Sequence, residues 1–291
     1  AEMSRYFGQR ARIFRRVDKI YDYGRSKRLR RLDGTYSLID LRCDGSAHGG
    51  CQAECYLLWK SGWLKRVESR ESIRDRAISE PNRARDPLAT GISRPRQAAV
   101  GDPSVKYRCQ FTQLVAASTP MTPHDYRQDL RPLVAGNLTV LAFFLAAVTR
   151  FFNFVQGLRG GAGYPTLPRR GTQAAPQPGP HIDDGARVTV RDASEIVATF
   201  DRGTRNRGLY FDPEMTKYCG RSCIVKKRVN RIIDDATGLM RVMKSPCIVL
   251  EGVDYTGETL RFVAQHEDLY WRDLWLALVT SPNCRAAETT E

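Results

Sequence analysis

Two stretches near opposite ends of the chain interleave apolar, β-branched and charged residues, Ala11-Arg-Ile-Phe-Arg-Arg-Val17 and Cys223-Ile-Val-Lys-Lys-Arg-Val229. A shorter apolar run follows each, Ser37-Leu-Ile-Asp-Leu41 and Cys247-Ile-Val-Leu-Glu251. Runs of this kind predict strands, and Gly34, Gly45, Gly238 and Gly257 stand where turns must join them. The middle follows another pattern. Thr122-Pro-His-Asp125 reads as a helix start, with Thr122 as N-cap, Pro123 in the first turn and Pro132 as its end. Leu138 to about Leu158 is apolar nearly all round and predicts a second, buried helix, with Asn137 placed to cap it. The charged, Pro-containing residues 68–106 read as a solvent-facing connection, and the Pro/Gly-rich stretch up to Pro180 as a linker. Beyond it, alternating Arg187-Val-Thr-Val190 predicts a strand, and Ser194 is placed to cap a short helix from Glu195 to Phe200.

The two strand-rich ends are related. At a constant offset of 212, residues 1–23 and 213–235 share Glu2, Met3, Tyr6, Gly8, Arg16, Val17, Ile20 and Asp22. The same offset sets Gly45 on Gly257, and Trp59-Lys-Ser-Gly-Trp-Leu64 on Trp271-Arg-Asp-Leu-Trp-Leu276. Self-similarity at a fixed spacing marks a duplicated structural unit. The chain therefore divides into repeat one (1–67), a middle region (68–177), and a C-terminal part (178–291) that carries repeat two. The expected class is α+β, two related small β-rich, SH3-like units flanking a helical middle. The i,i+4 pairs Trp59/Trp63 and Trp271/Trp275 are expected on one face of a short terminal helix, as core plugs. Because the numbering starts inside a repeat, further N-terminal residues are expected in the natural protein.

Charge changes this picture. Lys and Arg number 46 against 32 Asp and Glu, a net charge of +14 over 291 residues. The excess favours anionic partners, whether nucleic acid, an acidic lipid surface or a phosphate or sulfate ester. Half of it lies in residues 1–33, where Arg25-Ser-Lys-Arg-Leu-Arg-Arg31 reads as a solvated hairpin tip at least as well as a nucleic-acid grip. The longest apolar candidate, Leu138 to Val148, stops at Arg150, short of the ~18 residues of a span, so no membrane partner is expected. With no secretory apolar core at the start and eight sparse cysteines, the expected compartment is the cytoplasm, with cysteines as thiols or metal ligands.

Two constellations carry candidate chemistry. In Arg42-Cys-Asp-Gly-Ser-Ala-His-Gly-Gly-Cys-Gln-Ala-Glu-Cys55, the ligand types Cys43, His48, Cys51 and Cys55 crowd into a glycine-rich loop. Thiolate and imidazole suit zinc or an iron centre, four ligands close a structural site, and Cys109 could replace His48 as the fourth. A reactive thiol, or cysteines that are merely buried, are the competing readings. Repeat two puts Val263 and Glu267 opposite Cys51 and Cys55, so the repeat fold does not require the motif. Cys219, Cys223, Cys247 and His266 are a second, looser scatter. On the helix at 124–131, Asp125 or Asp129, with His124 as substitute, are candidate bases, and Arg127 and Arg131 candidate anion clamps. Asn137 is a further substrate-binding candidate; a solvated amphipathic helix is the competing reading.

The Arg42–Cys55 motif, together with Asn206-Arg-Gly-Leu-Tyr-Phe-Asp-Pro-Glu-Met215 and Tyr218-Cys-Gly220, resembles a family of poorly characterised bacterial proteins. Such proteins tend to be encoded in gene clusters for secondary metabolites or polysaccharides. The chain is also similar to the aziridine-forming cyclase component of azinomycin-type pathways. That resemblance implies an enzyme or enzyme component, a cyclase or lyase, acting on an anionic intermediate beside a sulfotransferase-type partner protein. In such a cyclisation an amine nitrogen bonds to the carbon bearing a sulfate ester, sulfate leaves with the electron pair, and a base takes the ammonium proton. The alternative is a metal-stapled, SH3-like binding module for nucleic acid or a partner protein.

Overall fold

The computed structural model describes residues 2–67, 105–122, 125, 127–165, 179–201, 203–263 and 268–279. The predicted connection at 68–104 and most of the linker before Pro180 lie outside the described residues. The fold is mixed α+β, with its strands in several small sheets. In repeat one, β1 (Ile13–Arg16), β2 (Lys19–Tyr21), β3 (Leu29–Arg31), β4 (Thr35–Arg42) and β5 (Tyr56–Lys60) follow in turn. Antiparallel pairing gives one sheet in the order β1-β4-β5. A second sheet is the β2-β3 hairpin, extended by β6 (Thr119–Pro120). Arg25, Lys27 and Arg28 are exposed at the tip of that hairpin.

The middle supplies α1 (Gln110–Gln113), α2 (Arg127–Val134) and α3 (Val140–Arg159). After it come β7 (Arg187–Val190), α4 (Ala193–Ala198), and the small β8 (Arg205–Asn206) and β9 (Leu209–Tyr210) pair. The long β10 (Ser222–Ile233) and β11 (Met240–Asp254) follow, then β12 (Asp268–Trp271) and β13 (Leu276–Leu278). These build a five-stranded sheet in the order β12-β11-β10-β7-β13.

The offset of 212 relates structure as well as sequence. Short 3-10 helices at Glu2–Tyr6 and Pro213–Tyr218 open the two repeats. Each turns a tyrosine edge-on to a buried tryptophan, Tyr6 to Trp59 at 6.4 Å and Tyr218 to Trp271 at 6.2 Å between ring centroids. Glu2 and Glu214 are both buried. Gly45 (φ 70°) and Gly257 (φ 77°) start equivalent turns, Ser46–His48 and Glu258–Leu260. A Cβ at either glycine would collide with the backbone of Cys51 or Val263, so both the left-handed φ and the close approach demand glycine.

Packing divides the chain into two compact units whose boundaries run through repeat two. One comprises Ala1–Tyr164, Asn230–Lys244 and Tyr255–Glu267; the other Pro165–Val229, Ser245–Asp254 and Asp268–Glu291. In the first, Leu38, Leu41, Leu57 and Trp59 form one apolar cluster, and Val17, Ile20, Leu32, Leu58, Phe111 and Leu114 another. In the second, Phe211 meets Trp275 edge-on at 5.2 Å and Phe200 packs against both.

Several local expectations change. Trp59 and Trp271 lie on or at the end of a strand, while Trp63 and Trp275 fall in the 3-10 turns that follow, so neither pair shares a helix face. Trp275 is fully buried, but Trp63 is 62% exposed. Pro132 does not end α2, which continues to Val134. A proline inside a helix leaves the carbonyl four residues earlier without its N–H; here the Gln128 carbonyl accepts from Lys19 Nζ at 2.9 Å. Thr139, not Asn137, caps α3, its Oγ1 accepting from Ala142 N. Asp192, not Ser194, caps α4, in a reciprocal box with Glu195. The largest departure is α3 itself. It runs through Arg150 for 20 residues, none of them buried, and is long and apolar enough to cross a membrane.

Candidate metal centre

Three elements of repeat one converge on one spot. The opening 3-10 helix is anchored by Met3 and Tyr6, which pack on the Leu38, Leu41, Leu57 and Trp59 cluster. That anchorage puts Glu2 of its first turn into the interior. The end of β4 delivers Cys43, whose N–H donates to the Cys55 carbonyl at 2.8 Å. The Gly45 turn then folds back: His48 N and Gly50 N both donate to the Gly45 carbonyl, at 2.9 and 3.0 Å, and the imidazole returns towards Cys43. An ion pair of 2.7 Å from Arg5 Nη1 to Asp44 Oδ2 ties the helix to the loop. Asp44 Oδ1 in turn accepts from the N–H and hydroxyl of Ser46.

The result is a compact donor set. Cys43 Sγ lies 3.6 Å from His48 Nδ1, which lies 3.1 Å from Glu2 Oε1. All three ligand atoms fall within 4.8 Å of one another, so the cluster could hold a metal ion. Glu2 Oε1 is buried and, despite its closeness to the imidazole, has no properly aligned hydrogen-bond donor. An acceptor without a donor in a dry site is costly unless a cation satisfies it. Burial raises the Glu2 carboxyl, but the adjoining His48 imidazole and Cys43 thiol outweigh it and hold the group below its ordinary range. Burial, then Glu2, pushes the Cys43 thiol up. Without a cation the thiol keeps its proton; a divalent ion would displace it as the thiolate forms.

The rest of the sequence motif disperses. Cys51 Sγ accepts from Ile233 N at 3.4 Å and packs with Tyr107, Ile233 and Met240. Cys55 and Cys109 pack against the Val17, Ile20 and Phe111 cluster, and burial raises the Cys109 thiol. Cys51 and Cys55 thus join apolar clusters instead of the donor set. Among the described residues, Cys219, Cys223 and Cys247 join no such group, and His266 lies outside them. Repeat two keeps the buried glutamate as Glu214 but sets Tyr255 and Leu260 where repeat one has Cys43 and His48. Glu2 escaped the motif reading because it lies 41 residues away in sequence; its signal was the glutamate shared with repeat two.

The helix at 124–131 presents a different picture. His124 lies outside the described residues. Asp125 is used locally, its Oδ1 accepting from Arg127 N at 3.1 Å, and Arg127 is exposed. Asp129 is clamped by Arg261 through bonds of 2.8 and 2.7 Å and by Arg150 at 3.2 Å. Burial raises its carboxyl, but the two guanidiniums prevail and leave it a weaker base than an ordinary aspartate. Asn137 both donates to Arg16 O and accepts from Arg16 N, at 2.7 and 3.2 Å, as a strand partner would. Arg131 and Asn137 line a shallow recess with Arg16, Asp18 and Lys19. Lys19 is buried, and that burial lowers its ammonium to about 8. No protein-family model matches the chain, and no curated protein matches its sequence.

Proposed function

We propose that repeat one carries the metal centre of an enzyme, or enzyme component, that acts on an anionic small molecule in bacterial secondary metabolism. Glu2, Cys43 and His48 are its ligands and zinc its metal. The observation that carries the reading is the asymmetry between repeats. A shared fold keeps the buried glutamate twice, while thiol and imidazole are added beside it once. Three protein ligands leave the fourth position of a tetrahedral ion open, where zinc supplies Lewis acidity to an anionic oxygen. In this reading the repeats are SH3-like scaffolds and the net charge of +14 draws in the anion. The cytoplasm, where thiols stay reduced, is the proposed compartment. Amine cyclisation with loss of sulfate, supplied by a sulfotransferase-type partner, is the proposed reaction.

Elemental analysis of anaerobically purified protein tests the centre. About one zinc per chain is expected, lost in Cys43→Ser and His48→Ala and retained in Cys51→Ser and Cys55→Ser. Absence of stoichiometric metal, or its loss on Cys51→Ser but not on Cys43→Ser, overturns it. Release of sulfate from sulfated amines, abolished by Cys43→Ser, is expected of the enzyme. Steeply salt-dependent binding to generic DNA or RNA without any turnover favours the binding module instead.

A further inference from the structure

The helix α3 is amphipathic in the inverted sense. At about 100° per residue, Phe144, Leu145, Val148, Phe151, Phe152 and Leu158 share one broad face, and all six are exposed. Phe151 and Leu158 stand 69% and 74% open. Arg150 and Asn153 lie on the opposite side of the helix. Arg150 donates to Asp129, itself clamped by Arg261, and Asn153 exchanges two hydrogen bonds with the backbone of Tyr164. A water-facing helix has its apolar side inward; here no described residue covers a face about 30 Å long.

We propose that α3 lies in the plane of an anionic lipid surface and seats the protein on it. Three observations favour lipid. The apolar face is wider than the narrow seam by which paired helices meet, and three of its six named residues are phenylalanine. Residues 127–165 carry four arginines and a single acidic residue, Asp129, which Arg261 and Arg150 already engage, so the segment complements anionic headgroups. Exposed Tyr164, just beyond the helix, has the amphipathic ring that sits at headgroup level. The helix lies flat instead of crossing. Its midpoint is bonded to α2 through Arg150 and Asp129, and a crossing would draw that ion pair and the attached globule into hydrocarbon.

Flotation of the full chain with vesicles of phosphatidylcholine and phosphatidylglycerol, against phosphatidylcholine alone, tests the proposal. The chain is expected to float with the anionic vesicles. The double variant Phe144→Asp/Phe151→Asp should float at least ~10-fold less while keeping its circular dichroism, since both side chains are exposed. A second variant, Phe151→Trp, should gain fluorescence that brominated acyl chains quench. Flotation with neither vesicle type, or no quenching, overturns the proposal. So does a dimer in sedimentation velocity that the aspartate pair dissociates, because the face then belongs to a second copy.

Discussion

Asp129 shows how much the surroundings of one carboxylate decide its use. By residue type and spacing it is a candidate base; in the fold it holds two arginines from distant parts of the sequence, Arg150 and Arg261. Its carboxyl is only 16% exposed and titrates below the ordinary range, so it contributes stability above the aspartate value of ~3.9 and loses it as pH falls through the lower folded value. Asp129→Asn is therefore expected to destabilise the protein by about 2 kcal/mol at neutral pH. The gap should begin to narrow below about pH 4 and close only once pH falls below the carboxyl's own lower folded value. Urea unfolding of both proteins between pH 7 and pH 3 reads this directly, and a gap that stays constant would mean the guanidiniums do not hold the charge.

At the scale of elements, what was legible was what short-range chemistry dictates. Alternating segments became β1, β4, β7, β10 and β11, and the glycines at 34, 45, 238 and 257 all adopt positive φ. Pro132 misled because a helix can continue past a proline when another donor, here Lys19, takes the freed carbonyl. The exposure of α3 was illegible because an apolar helix has the same composition whether it faces core or lipid; only its neighbours decide. The cluster that could hold a metal was half legible, since Cys43 and His48 are local to the loop while Glu2 arrives from another element. The paired turns at Gly45 and Gly257 separate folding from ligation. Gly45→Ala and Gly257→Ala should both destabilise, by about 2–4 kcal/mol, because each forces a Cβ onto backbone at positive φ. Only Gly45→Ala should also weaken zinc retention against a chelator, because that turn alone carries His48. Equal loss of metal from both variants would place the site elsewhere.

The whole molecule is less divisible than its repeats imply. The first compact unit takes residues 230–244 and 255–267 from repeat two, and the bonds they make are specific. Gln52 donates its backbone N–H to Arg231 O at 3.1 Å, and its side-chain oxygen accepts from Asn230 N at 2.7 Å. Ile233 and Met240 complete the apolar cluster around Tyr107 and Cys51. Arg261 clamps Asp129, and its carbonyl receives the buried Lys19 ammonium. A fragment ending at residue 164 loses all of these together. Lys19 would keep a single carbonyl partner, and Tyr107 and Cys51 would face water, penalties that together rival the stability of a small domain. The fragment 1–164 alone is therefore expected to melt without a cooperative transition. Adding the separately produced fragment 179–279 should restore both the transition and zinc binding, because the missing strands and loop are then supplied in trans. A cooperative melt of 1–164 by itself, at the midpoint of the full chain, would show that the contributions from repeat two are dispensable to the unit they complete.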